Sequence, residues 1–110
     1  MNVRDIDVVE AFALVEGPAV LLDVRQREEF DAGHAPMATL VPLSELPDHL
    51  DELPHDALIV CVCRSGARSR RAALFLSEAG YAVANVDGGM LAWAAADLPL
   101  ESDEGDPAIE

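Results

Sequence analysis

An apolar run rich in β-branched residues, Leu58-Ile59-Val60-Cys61-Val62, passes without a spacer into Cys63-Arg64-Ser65-Gly66-Ala67-Arg68, and a helical pattern over residues 69–79 leads out. A strand feeding directly into a helix is half of a βαβ unit, and such units build parallel sheets. The same alternation recurs along the chain. Asp7, with Glu10 three residues on, has the spacing of a capping box and opens a helix to about residue 15, stopped by Gly17-Pro18. Residues 19–24 read as a buried strand, 27–32 as a short charged helix ended by Gly33, and 39–41 as a short strand. Ser44 is expected to cap a helix through about residue 53, with Pro47 tolerable only in its first turn. Gly80 is a candidate C-cap, 81–86 a strand, Gly88-Gly89 a turn and 90–96 a last helix. Strand and helix in alternation imply an α/β fold around a mostly parallel sheet.

In open α/β sheets, ligands bind beyond the carboxyl ends of the strands, and Cys63 falls at such an end. The loop after it turns through Gly66 and opens a helix, which aims the thiol at backbone N–H groups that lack internal partners. The helix dipole and neighbouring arginines add positive charge, so the thiolate is favoured over the thiol. Free cysteine titrates near pH ~8.5, and cysteines in such settings titrate roughly between 3.5 and 7.5. This loop reads as a cradle for a nucleophile. Asp23, Val24 and Arg25 close another strand and are placed to line the same crevice.

The chain has 110 residues, enough for one domain with its own core. Its longest uncharged apolar stretches are too short to span a bilayer, and Arg4, Asp5 and Asp7 precede any apolar run, unlike a signal peptide. Residues 1–100 are read as the domain. Residues 101–110, acidic and carrying Gly105 and Pro107, are expected to fray. Cys61 and Cys63 stand two apart on an extended segment, with Cα atoms about 6.6 Å apart at strand rise. That is the outer limit for a disulfide, so two free thiols in a reducing, cytoplasmic compartment are expected. Twenty-one acidic residues face seven basic ones, all arginine, for a net charge of −14. Nucleic acid, which needs a basic stripe, is excluded as a partner. The acidity fits either an ordinary solvated surface or adaptation to a salty cytoplasm. The absence of lysine adds weight to the second, although a GC-rich genome also enriches arginine, alanine and aspartate.

Four segments resemble the single-domain rhodanese family of thiosulfate-type sulfurtransferases. They are Leu22-Asp23-Val24-Arg25 with Glu29-Phe30 and Gly33-His34; Val41-Pro42-Leu43-Ser44; Val62 to Ser69; and Asp87-Gly88-Gly89-Met90-Leu91-Ala92-Trp93. The resemblance spans about residues 5 to 100 and implies a three-layer domain, a central mostly parallel sheet with helices on both faces. It also implies a ping-pong cycle in which Cys63 takes the outer sulfur of an anionic donor such as thiosulfate and holds it as a persulfide. A thiol, cyanide or a thioredoxin-like acceptor then collects that sulfur. Related phosphatases and arsenate reductases use a loop one residue longer, so the four residues between Cys63 and Arg68 favour sulfur over phosphate transfer. A sulfur-carrier or interaction domain serving a protein partner is the alternative from another class. The family pattern Gly-His-Ile-Pro-Gly-Ala departs here to Gly33-His34-Ala35-Pro36-Met37-Ala38, where Met37 replaces a glycine and a different local turn is expected. Arg64 also departs from the Cys-Gly-Ser-Gly loop of mercaptopyruvate-using relatives.

Weighed residue by residue, Cys63 is the expected nucleophile. Arg64, Ser65, Gly66, Ala67, Arg68 and Ser69 form its substrate-binding loop. Arginine at a helix start opposes the dipole, and this points Arg68 toward anion binding. Arg70 and Arg71 are expected to be surface charges. Asp23, Arg25, Glu29 and His34 are read as supporting residues, with an Arg25–Glu29 ion pair and a hydrogen-bonding rather than acid–base role for His34. Cys61 is expected to be a small apolar sheet residue, and Trp93 and Phe75 core. Neither a metal-ligand spacing nor a cofactor motif is present in the sequence.

Overall fold

A computed structural model describes residues 3–110. Five strands form one sheet: β1 (Arg4–Ile6), β2 (Val20–Asp23), β3 (Thr39–Leu40), β4 (Ile59–Val62) and β5 (Val83–Val86). Their spatial order is β1-β5-β4-β2-β3, and every pairing is parallel. Helices α1 (Val8–Glu16), α2 (Arg27–Ala32) and α3 (Ala67–Glu78) and a 3₁₀ segment over Leu43–Glu52 make the crossovers, and α4 (Gly89–Ala95) follows the last strand. The alternation of side chains along each strand divides the core in two. Leu22, Ile59, Cys61 and Cys63 face Ala72, Ala73 and Leu76 of α3 and Leu46 of the 3₁₀ segment. Leu21, Val60, Val62 and Val86 face Val8, Ala11 and Val15 of α1 and Met90 and Trp93 of α4. Helices therefore cover both faces of the sheet, as expected.

Several boundaries differ from expectation for definable reasons. Asp7 does cap α1, accepting from the Glu10 N–H at 2.8 Å. However, the Glu10 carboxylate turns to Arg4. Ser44 caps nothing. The 3₁₀ segment starts behind Pro42, and Pro47 sits inside it, where a missing N–H and the restriction on the preceding residue prevent continuous α-helix. Helix α3 begins at Ala67, two residues earlier than expected, because Gly66 adopts φ +118° and serves as its N-cap. Strand β1 was not legible as a strand: only Ile6 of its three residues is buried. Met37 causes no left-handed turn; Asp97 is the only non-glycine residue with positive φ among the described residues. Phe75 is 37% exposed rather than core.

The acidic tail, expected to fray beyond residue 100, is laid along α2. Glu101 and His34 exchange backbone hydrogen bonds at 2.8 and 2.9 Å. The Asp103 N–H and Ser102 Oγ donate to the Asp31 carbonyl, and the Ala108 N–H to that of Ala32. The last carbonyls of a helix lack internal partners, and the tail supplies donors to them while most of its carboxylates stay in solvent. Ile109 packs against the α1–α4 side of the core.

Candidate active site

Strand β4 ends at Val62, so Cys63 emerges at the carboxyl edge of the sheet between β2 and β5. Its side chain is buried, and two donors converge on the sulfur: the Gly66 N–H at 3.1 Å and Ser69 Oγ at 3.3 Å. Burial alone pushes the thiol up. Hydrogen bonds from the Ser69 hydroxyl and from the N–H groups of Ser69, Gly66 and Ser65 outweigh it, and Cys63 is held below the usual thiol range. Cys61 lies two residues back without such donors, and burial pushes it up to about 12. Both cysteines are unbridged. Cys63 is shifted toward ionisation by its donors, whereas Cys61, on the same face but within β4, is an inert core thiol.

The loop is held from behind by the segment that the sequence presents as a turn and a last helix. Met90 and Leu91, in the first turn of α4, donate their N–H groups to the carbonyls of Cys63 and Arg64 at 2.8 and 3.0 Å. Gly89 makes this approach possible: a Cβ there would lie 2.4 Å from the Cys63 carbonyl oxygen, and its φ is +56°. Asn85, on β5, was not anticipated at all. It is buried, accepts the Ser69 hydroxyl at 2.6 Å, and donates to the Gly66 carbonyl at 3.3 Å and to Asp5 at 3.1 Å. This hydrogen bond holds the Asp5 carboxyl below its ordinary range, helped by Arg70. A polar residue inside an otherwise apolar strand was the available signal.

The supporting residues are brought to the site, but with different partners. Arg25 and Asp23 are both fully buried and pair with each other, Nε and Nη2 of the guanidinium reaching the two carboxylate oxygens at 3.0 and 2.8 Å. Arg25 Nη2 also donates to the Gly33 carbonyl at 2.8 Å, and Nη1 to the backbone carbonyl of Glu29 at 3.4 Å. The expected Arg25–Glu29 ion pair is thus replaced, because Asp23, two residues away on the same face of an extended chain, is the nearer carboxylate. The Glu29 side chain pairs bidentately with Arg68 at 2.7 and 2.9 Å. The pair lowers the Glu29 pKa and raises that of Arg68. The unfavourable position of Arg68 at the start of α3 is answered by Glu29, and the pair ties the cysteine loop to α2. His34 stacks on Phe30 and its Nδ1 donates to the Phe30 carbonyl at 2.7 Å, a structural arrangement. Arg64 is exposed at the mouth and donates to the Glu110 carbonyl at 2.9 Å, while Ser65 and Ala67 are exposed along the loop.

A buried thiol held below its usual range by hydrogen bonds from its loop, at the carboxyl end of a parallel sheet, is an arrangement suited to a cysteine nucleophile. The rhodanese-like domain model matches residues 8–96, and the chain belongs to that family. It is similar to a sulfurtransferase of Allochromatium vinosum, 40% identical over 87 residues, covering 78% of this chain and 81% of that protein. It is also similar to thiosulfate sulfurtransferase 18 of Arabidopsis thaliana, 34% identical, covering 97% of this chain and 90% of the relative. A solved rhodanese-related protein from Thermoplasma volcanium superposes with a TM-score of 0.84 at 28% identity, covering 89% of this chain and 97% of the other. Among the described residues, no helix is long and apolar enough to cross a membrane.

Proposed function

We propose that this protein is a sulfurtransferase that moves sulfane sulfur from thiosulfate or a persulfide donor to a thiol, cyanide or thioredoxin-like acceptor. The observation that carries the reading is the convergence of the Gly66 N–H and the Ser69 hydroxyl on the Cys63 sulfur. The Cys63 thiolate attacks the outer sulfur of thiosulfate; the S–S bond of the donor breaks, and sulfite leaves with its electron pair. The new outer sulfur carries the negative charge of the persulfide, and the loop donors stabilise anionic sulfur in either state. An acceptor nucleophile then takes that sulfur, and the Cys63 thiolate is regenerated as the leaving group. No proton need be moved by a side chain, which agrees with His34 being engaged by Phe30. Arg64, exposed at the mouth, attracts the donor anion, whereas Arg68 sustains the loop through Glu29. The four-residue spacing of Cys63 and Arg68 and the sulfurtransferase names of the relatives support sulfur over phosphate chemistry. Two unbridged thiols suit a cytoplasmic setting.

Intact mass after thiosulfate treatment tests the reading. One added sulfur atom is expected on the wild type and none on Cys63→Ser, with cyanide restoring the starting mass. An unmodified wild type, or an adduct that persists in Cys63→Ser, would overturn it.

A further inference from the structure

Beside the cysteine loop, α3 and the 3₁₀ segment enclose a groove of about 480 Å³, a volume within the range of small-molecule sites. Its floor is Val24 and Leu46, and both belong to the same packed cluster as Cys63. Val24 donates its N–H to the Val62 carbonyl at 3.0 Å, which sets it next to Cys63 across the β2–β4 pairing. Arg68, Arg71 and Phe75, spaced on one face of α3, form a wall. Two of the seven arginines line this groove and none of the twenty-one acidic residues does. A second hollow of equal volume, near β3, is lined by Glu28, Glu45 and Glu52.

The arginines themselves differ. Arg4, Arg25, Arg27, Arg68 and Arg70 each pair with a carboxylate, and Arg64 donates to a backbone carbonyl. Among the described residues, Arg71 alone of the seven has neither a hydrogen bond nor an ion pair. An uncompensated cation on an apolar groove, in a chain of net charge −14, is a place for an anion attached to a carbon skeleton. Thiosulfate has no carbon skeleton to bury there. The acceptor of the second half-reaction is the substrate such a surface suits.

We propose that this groove is the acceptor site and that it selects alkyl thiols bearing a carboxylate, the chain packing on Phe75, Leu46 and Val24 and the carboxylate pairing with Arg71. The inference rests on the sulfurtransfer reading. The acceptor, as thiolate after losing its proton to solvent, attacks the outer sulfur of the Cys63 persulfide. The bond from that sulfur to Cys63 Sγ breaks, and Sγ departs as the thiolate that the loop already stabilises. The product is the alkyl persulfide anion, with no external oxidant or reductant required.

The test compares 6-mercaptohexanoate with 6-mercaptohexan-1-ol as acceptors for persulfidated protein, reading loss of the added sulfur by mass. The wild type is expected to be unloaded about three- to fivefold faster by the carboxylate at low ionic strength, the range for a partly exposed ion pair, and the preference should shrink as salt is added. Arg71→Gln should erase it, whereas Arg27→Gln, which removes the same charge elsewhere, should keep it. Equal rates with the two thiols, or a preference that survives in Arg71→Gln, would overturn the proposal. A second readout needs no turnover: in Cys63→Ser, 6-mercaptohexanoate should perturb the NMR signals of Arg71 and Phe75. Absence of that perturbation sinks the groove even if sulfur transfer stands. Its presence in a protein that takes no sulfur from thiosulfate sinks the sulfurtransfer reading alone.

Discussion

Replacing Ser69 by alanine asks whether the hydroxyl is what sets the reactivity of Cys63. Ser69 Oγ has one proton and three acceptors within reach: Asn85 Oδ1 at 2.6 Å, the Gly66 carbonyl at 3.2 Å and Cys63 Sγ at 3.3 Å. Beside a neutral thiol, the shortest contact takes the proton, and it belongs to Asn85. Once Cys63 ionises, the sulfur becomes the stronger acceptor. A hydrogen bond to a charged group is worth about 1.5–3 kcal/mol, and the neutral bond given up about 0.5–1.5. The difference favours the thiolate by about 1–1.5 kcal/mol, or about one pKa unit. Ser69→Ala should therefore raise the Cys63 titration midpoint by about one unit. The N–H groups of Ser65, Gly66 and Ser69 would still act on the sulfur. The rate of iodoacetamide alkylation against pH measures this, and Cys61, pushed up to about 12, does not interfere. An unchanged or lower midpoint would refute the reasoning and leave the proton with Asn85 in both states.

The same variant carries a stability signature whose sign is fixed. The folded Cys63 pKa lies below that of the unfolded chain, near ~8.5. Its ionisation therefore adds stability that is fully present above pH ~8.5 and is lost as pH falls through the folded value. Ser69→Ala should cost about 1 kcal/mol more in urea unfolding at pH 9 than at pH 5. At pH 5 the remaining cost, about 1–3 kcal/mol, is the buried Asn85 oxygen left without its donor. Cys61 weakens stability above pH ~8.5 because its folded pKa is raised, but it does so equally in both proteins.

Three further outcomes are expected. Glu29→Gln breaks a bidentate pair, so urea unfolding at pH 7 should show a loss of about 1–2 kcal/mol. The lowered Glu29 pKa stabilises the fold above pH ~4.3 and less as pH falls through the folded value, so the difference between the proteins should shrink by pH 3. Gly89→Ala must move the Cys63 and Arg64 carbonyls, and persulfide loading should fall at least tenfold with a stability loss above about 3 kcal/mol; a variant with wild-type loading would contradict the anchoring role given to α4. Gly33→Ala places a Cβ 2.4 Å from the Ala108 carbonyl oxygen on a backbone that any residue can adopt. Residues 101–110 should come away and be cleaved faster in limited proteolysis while the sheet stays folded, and unchanged protection would show that the tail is not held there.

The architecture was legible because its signals are local. Apolar runs of strand length, the first preceded by Gly17-Pro18 and the last followed by Gly88-Gly89, give β2, β4 and β5 within a residue or two of their ends. Helix α2 was recovered in full, since Gly33 ends it. The failures arose where the element is made by its neighbours. Strand β1 exists because Arg4–Ile6 lie against Ala84–Val86, and two of its three residues are exposed. The tail lies along α2 because that helix leaves carbonyls open beside it, a demand that resides in another part of the chain.

The site divides along the same line. Cys63, the turn at Gly66 and the inward hydroxyl of Ser69 lie within seven consecutive residues, so their chemistry could be read from spacing. The choice of ion-pair partners could not. Arg25 and Glu29 stand four apart, the spacing of a helical pair, yet Arg25 lies on extended chain before α2 begins and turns to Asp23 instead. That leaves Glu29 for Arg68, thirty-nine residues away. Asn85 and Gly89 come from a separate segment beyond α3, and both act on the loop through its backbone and Ser69 rather than on the sulfur. A short motif supplies the proposed nucleophile and its donors. The rigidity that keeps those donors aimed comes from β5, α4 and α2, so substitutions there should alter the Cys63 titration without any of the substituted residues touching the sulfur.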